Sequence, residues 1–93
     1  MDRPMQFEWD PLKALANETK HSVSFVEASE VFNDDHSSAV PDPDHSNDEG
    51  RYLIFGVSRT GRFLVVSYTD RGDRIRLISA RTMTVRERRV YEQ

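Results

Sequence analysis

Ten arginines crowd the segment 51–93, where only four acidic residues oppose them; the first fifty residues carry twelve acids against Arg3, Lys13 and Lys20. A guanidinium is a planar fork that matches two phosphate oxygens and stacks on flat rings, so a segment of this kind suits a polyanion such as nucleic acid. The alternative is that the two charge sets intermix on the folded surface, because halves of a sequence are not halves of a body. Arg74 and Arg76 alternate with Ile75 and Leu77, the pattern of a strand with one basic and one apolar face, and Arg81 closes the same run. Arg51 and Arg62 open the two runs before it. Arg62, at a hairpin end, could bind phosphate or simply be solvated; Arg51 follows an acidic stretch and could pair with Glu49.

Lys20 and His21 adjoin one another. An imidazole titrates near neutrality and can serve as acid or base. The same two residues would also be explained by cation stabilisation at a helix C-terminus. Trp9 and Tyr91 offer flat faces on which a base could stack, although a Trp in a small domain also serves the core. Glu87 is a carboxylate in search of a proton, but its position in a capping sequence gives it a structural duty. Asp42, Asp44, His45 and Asp48 gather possible metal ligands at a spacing that fits no known site. No metal and no cofactor is assigned.

These residues must be positioned by a small body. A chain of 93 residues, 37 % of them hydrophobic, supports a single domain spanning 1–93 with one modest core. It is too small to enclose a deep small-molecule pocket as well, which favours chemistry on an open surface. The absence of cysteine excludes disulfides and thiolate metal sites. Neither a signal-peptide run nor an apolar stretch of membrane-spanning length is present, so a cytoplasmic location without membrane contact is expected.

The periodicities predict an α+β fold. Gln6–Trp9 reads as a short strand with Phe7 and Trp9 on one face. Asp10-Pro11 opens a helix to about Lys20–His21, since Asp is a preferred N-cap and Pro suits the first turn. Leu12, Leu15 and Ala16 form its expected apolar stripe. Ser24 to Glu27 matches a capping box at the start of a second helix, with Val23 and Ala28 as its hydrophobic staple. Residues 33–50 read as a polar, acidic loop holding a short strand near Ser38–Val40. Three strands follow at 51–58, 62–69 and 74–80, joined by Gly-containing hairpin turns into an antiparallel meander of three to four strands. The helices are expected on one side of it. Thr84 to Glu87 is a second capping box. It starts a short C-terminal helix with so little apolar surface that it is expected to detach, swap or dock on a partner.

The order of these residues is similar to a known family. Phe7-Glu8-Trp9-Asp10, then Lys13, Asn17, Lys20-His21, Val23-Ser24-Phe25, Glu27-Ala28 and Val31-Phe32 resemble the opening of BrnT-like toxins. Gly61-Arg62, Val65-Val66, the run Arg74 to Arg81, Arg86-Glu87-Arg88 and Tyr91 resemble the rest. The likeness is colinear over residues 6–92; no single motif is specific, but the combination is.

That resemblance implies a RelE-like fold and a metal-independent ribonuclease of a type II toxin–antitoxin system that suppresses translation. It also implies a heteromeric complex with a DNA-binding antitoxin, expected to be of the ribbon-helix-helix type; the acidic stretch 34–49 could be where a basic antitoxin docks. Cleaving RNA without metal needs a base for the 2′-OH, donors for the phosphorane charge, an acid for the departing oxygen and a held strand. On this reading Arg76 and Arg81 are the first choices for transition-state contacts, with His21 as acid or base. Lys20, Arg51, Arg62, Arg74, Trp9 and Tyr91 are candidates for RNA contact. A non-catalytic nucleic-acid- or partner-binding module with the same fold is the alternative.

Overall fold

The structure, a computed structural model, describes residues 5–45 and 50–93. Its centre is a five-stranded sheet in the order β1-β5-β4-β3-β2. The strands are β1 (Gln6–Glu8), β2 (Ser38–Pro41), β3 (Arg51–Val57), β4 (Phe63–Asp70) and β5 (Arg74–Thr82). Strands β2 to β5 form the expected antiparallel meander. The turns between β3 and β4 and between β4 and β5 place Gly61 and Gly72 at φ 89° and 83°, where a side chain would be strained. β1 is an addition to the expected sheet: it pairs parallel to β5, with Gln6 opposite Arg74 and Glu8 opposite Arg76.

Helix α1 (Pro11–His21) starts as expected, the Asp10 carboxylate accepting from Leu12 N at 2.8 Å. Its expected apolar stripe is overturned. Leu12 and Leu15 are 77 % and 64 % exposed, and the buried residue is Asn17. The reason lies in the sheet edge. β1 is short and covers only residues 74–76 of β5, so the backbone of Ala80 needs another partner. Asn17 supplies it: Ala80 N donates to Oδ1 at 3.0 Å, while Nδ2 donates to Ala80 O and Val23 O, both at 2.9 Å. One amide therefore acts as a piece of missing strand and ties α1 to β5.

Helix α2 (Phe25–Glu30) has half of its expected capping box. Ser24 accepts from Glu27 N at 3.0 Å. The Glu27 carboxylate turns away, taking the Ser58 hydroxyl at 2.9 Å and Arg62 at 2.9 Å. Those charged and hydroxyl donors outcompete a single backbone amide. Val23, Phe25, Ala28 and Val31 then pack with Ile54, Leu64, Val66, Tyr68, Leu77 and Ala80 in the core. Phe7, Trp9, Phe32 and Tyr52 close its margin.

The helices do not all lie on one side. Helix α3 (Val85–Tyr91) keeps its full capping box with Thr84 and Glu87, and it docks on the opposite sheet face rather than detaching. Tyr91 meets the Phe63 ring edge-on at 5.7 Å and donates its hydroxyl to Asp34. The Arg88 guanidinium lies 3.9 Å from the Phe63 ring centre. Aromatic and polar anchoring thus replaces the apolar stripe that the helix lacks. Among the described residues, no helix is long and apolar enough to cross a membrane.

Candidate nucleic-acid interface

The sheet face away from α1 and α2 follows from the register. Alternation puts Tyr52, Ile54, Leu64, Val66, Tyr68, Ile75 and Leu77 toward the core. Arg51, Thr69 and Arg76 are paired across three strands on the other face. Arg76 and Arg81 stand five positions apart, an odd spacing that in a regular strand sends them to opposite faces. A β-bulge prevents this. Tyr68 pairs Leu77 and Ser67 pairs Ser79, leaving Ile78 as the extra residue. Beyond the bulge Ala80 returns to the core and Arg81, paired with Val65, joins Arg76 on the open face.

Arg76 and Arg81 are each oriented by a carboxylate. Arg76 Nη1 donates to Glu8 Oε2 at 2.9 Å, and Arg74 Nη1 lies 3.7 Å from Glu8 Oε1. Arg81 makes a fork with Glu87, at 2.8 and 3.0 Å. The Arg81 hydrogen bonds, joined by the capping amide of Thr84, hold the Glu87 carboxyl at about 2 against an ordinary 4.5; the same pair raises the Arg81 guanidinium. A carboxylate so acidic is a poor proton acceptor at neutral pH. Glu87 therefore positions Arg81. The Arg51 guanidinium makes no hydrogen bond or ion pair among the described residues, while its backbone oxygen accepts from Asp42 N at 3.1 Å; its suggested partner Glu49 lies outside them.

The remaining candidates divide between two other places. At the α1–α2 corner, Arg62 Nη1 donates to Ser22 O and to Glu27, both at 2.9 Å, which brings it beside Lys20 and His21 in the chain. Arg62 is thereby given a bracing role. His21 makes no hydrogen bond with Arg76 or Arg81, whose guanidinium groups are held by Glu8 and Glu87. Trp9 packs edge-on to Phe25 at 5.9 Å and borders the core. The Tyr91 hydroxyl is committed to Asp34. Burial, then the hydrogen bond with that carboxylate, pushes the phenol up to about 12, and Asp34 is lowered in turn by the Tyr91, His36 and Val57 donors despite its desolvation. His36 Nε2 lies 3.1 Å from Tyr91 O and adds a further tie. Tyr91 is an anchor of α3.

Glu8 is the residue that single-residue inspection of the sequence passes over. Its signal was present: Glu8 stands between Phe7 and Trp9, so it points away from the core. Only the parallel pairing of β1 with β5 shows which arginine it meets.

The sequence model of the family described as ribonuclease toxin, BrnT, of type II toxin–antitoxin systems matches residues 9–87. The chain belongs to the BrnT family. Among solved structures, the ribonuclease toxin BrnT of Brucella abortus is similar, with a TM-score of 0.68 at 19 % identity over 87 % of this chain and 99 % of that one. At that identity the likeness speaks for the fold. No curated protein sequence matches. BrnT membership makes this a toxin of a type II toxin–antitoxin system, from a family of ribonucleases, with an antitoxin as its partner. The matched segment holds every candidate arginine, Lys20, His21 and Trp9; Glu8 and Tyr91 flank it.

Proposed function

We propose that this BrnT toxin is a metal-independent endoribonuclease that lays single-stranded RNA along the open face of its sheet. The observation that carries the reading is the bulge at Ile78, which puts Arg76 and Arg81 on one face with Glu8 against Arg76. Arg76 and Arg51 meet the scissile phosphate, and Arg81 takes a neighbouring phosphate. At about 3.3 Å per residue, the two arginines of β5 stand roughly 15 Å apart, a span of more than one nucleotide. Arg74 adds charge at the rim. Glu8 accepts the 2′-OH proton; the 2′-oxygen then attacks phosphorus and the bond to the 5′-oxygen breaks. Arg76 neutralises the charge that builds on the phosphoryl oxygens. The Arg76 side chain is 35 % exposed, so water reaches this end of the face and returns a proton to the leaving oxygen. His21 and Lys20 lie outside this row, and a catalytic part for His21 is not needed. The products block translation and growth. A DNA-binding antitoxin of the ribbon-helix-helix type neutralises the enzyme.

The test is RNA cleavage by purified protein in the presence of a chelator. Wild type cuts. Glu8→Gln binds RNA but loses cleavage by about 10²–10⁴-fold, the usual worth of a general base. Arg76→Ala loses cleavage and weakens binding. Full cleavage by Glu8→Gln overturns the base assignment. Binding without cleavage by wild type would favour the non-catalytic module.

A further inference from the structure

Between the two arginine rows lies a hollow of about 230 Å³, lined by Asp42, Asp44, His45, Leu53, Val65, Ser67, Ser79 and Arg81. Leu53, Ser67 and Ser79 are paired across β3, β4 and β5, one row along from Arg51, Thr69 and Arg76. Ser67 is 7 % exposed, yet its hydroxyl has no hydrogen-bond partner among the described residues. The hydroxyl lines the hollow and is open to a group that enters it. Asp44 is exposed, and its carboxylate likewise has no partner among the described residues; the nearby Asp42 carboxylate accepts from Asp44 N at 3.0 Å.

We propose that this hollow is a nucleobase subsite selective for guanine. The inference rests on the reading of this face as an RNA platform and adds what the face selects. The carboxylates of exposed Asp44 and buried Asp42 line the hollow and repel a phosphate, so the backbone runs over the arginines and the hollow takes the base between them. Leu53 and Val65 give the base an apolar surface. The volume suits a single base; pockets for drug-sized ligands run from roughly 300 Å³ upward. The Ser67 hydroxyl can donate to or accept from a ring edge. A carboxylate accepts hydrogen bonds only, and guanine offers it two adjacent donors, the ring N1–H and the exocyclic amine. Adenine, cytosine and uracil present no such pair on that edge.

The test is titration of the full chain with guanosine, adenosine, cytidine and uridine monophosphates, followed by amide NMR. Guanosine monophosphate should shift the Ser67, Ser79 and Leu53 signals and bind about tenfold tighter than the others, the worth of a charge-assisted pair of hydrogen bonds. Asp44→Asn should erase that preference while leaving the fold intact, and Ser67→Ala should weaken all four. Equal binding of the four nucleotides, shifts confined to another surface, or an unchanged preference in Asp44→Asn overturns the subsite. The readout is binding, so it is independent of the catalytic reading. Cleavage of RNA without guanine preference overturns the subsite and leaves the ribonuclease standing; guanine-selective binding by a protein that does not cut does the reverse.

Discussion

Replacing Asn17 with alanine tests whether one side chain completes the sheet edge. The residue is 6 % exposed and makes three hydrogen bonds, to Ala80 N, Ala80 O and Val23 O. Truncation leaves those three backbone groups without their partner. At about 1 kcal/mol net for each bond, Asn17→Ala should cost about 3 kcal/mol. That is a large share of the roughly 5–15 kcal/mol that holds a small domain together. In a domain of this size it lowers Tm by about 12–24 °C. Asn17→Asp should cost more, because a carboxylate still accepts from Ala80 N but faces two carbonyl oxygens with no donor to offer. Urea unfolding followed by the fluorescence of Trp9, the single tryptophan, gives the number; an unchanged m-value shows that the loss is in stability and not in the unfolded state. A loss below about 0.5 kcal/mol, the low end for one hydrogen bond, would refute the reasoning. It would mean that water serves the β5 edge as well as the amide does.

Three further outcomes follow from the anchors. The Glu87 carboxyl is more acidic when folded, about 2 against 4.5, so its contribution is present above pH 4.5 and is lost as pH falls through about 2. The stability gap between wild type and Glu87→Gln should therefore narrow from pH 5 to pH 2; a constant gap removes the Arg81 fork as its source. The Tyr91 phenol is raised from 10.0 to about 12, so its contribution is full below pH 10 and is lost as pH rises through about 12. Tyr91→Phe should be less stable by about 1–2 kcal/mol at pH 7, with the difference closing in alkali, as chemical denaturation at both pH values would show. Gly56→Ala sets a methyl 2.7 Å from Val31 Cγ1 and should cost about 1–3 kcal/mol in the same assay; a neutral result would show that the first turn after α2 yields freely.

Much of the molecule could be read along the chain. The start of α1, the Thr84 box and the meander rest on contacts between near neighbours, where local chemistry decides. The Leu12 stripe failed because periodicity reports which residues are apolar and not which surface is available; the free β5 edge claimed Asn17 instead. The Ser24 box lost its glutamate for a related reason, since Arg62, 35 positions away, offers a charged donor.

By itself, then, the sequence settled the composition of the face: a basic, strand-forming C-terminal half, with no thiol chemistry and with a family likeness running through its length. The tertiary structure decided which of those arginines share a surface. A single extra residue at Ile78 inverts the alternation of β5, and a strand paired in parallel from the far end of the chain brings Glu8 to Arg76. Neither fact is local. Register is set by the whole sheet, and one step of register moves a side chain from the solvent to the core.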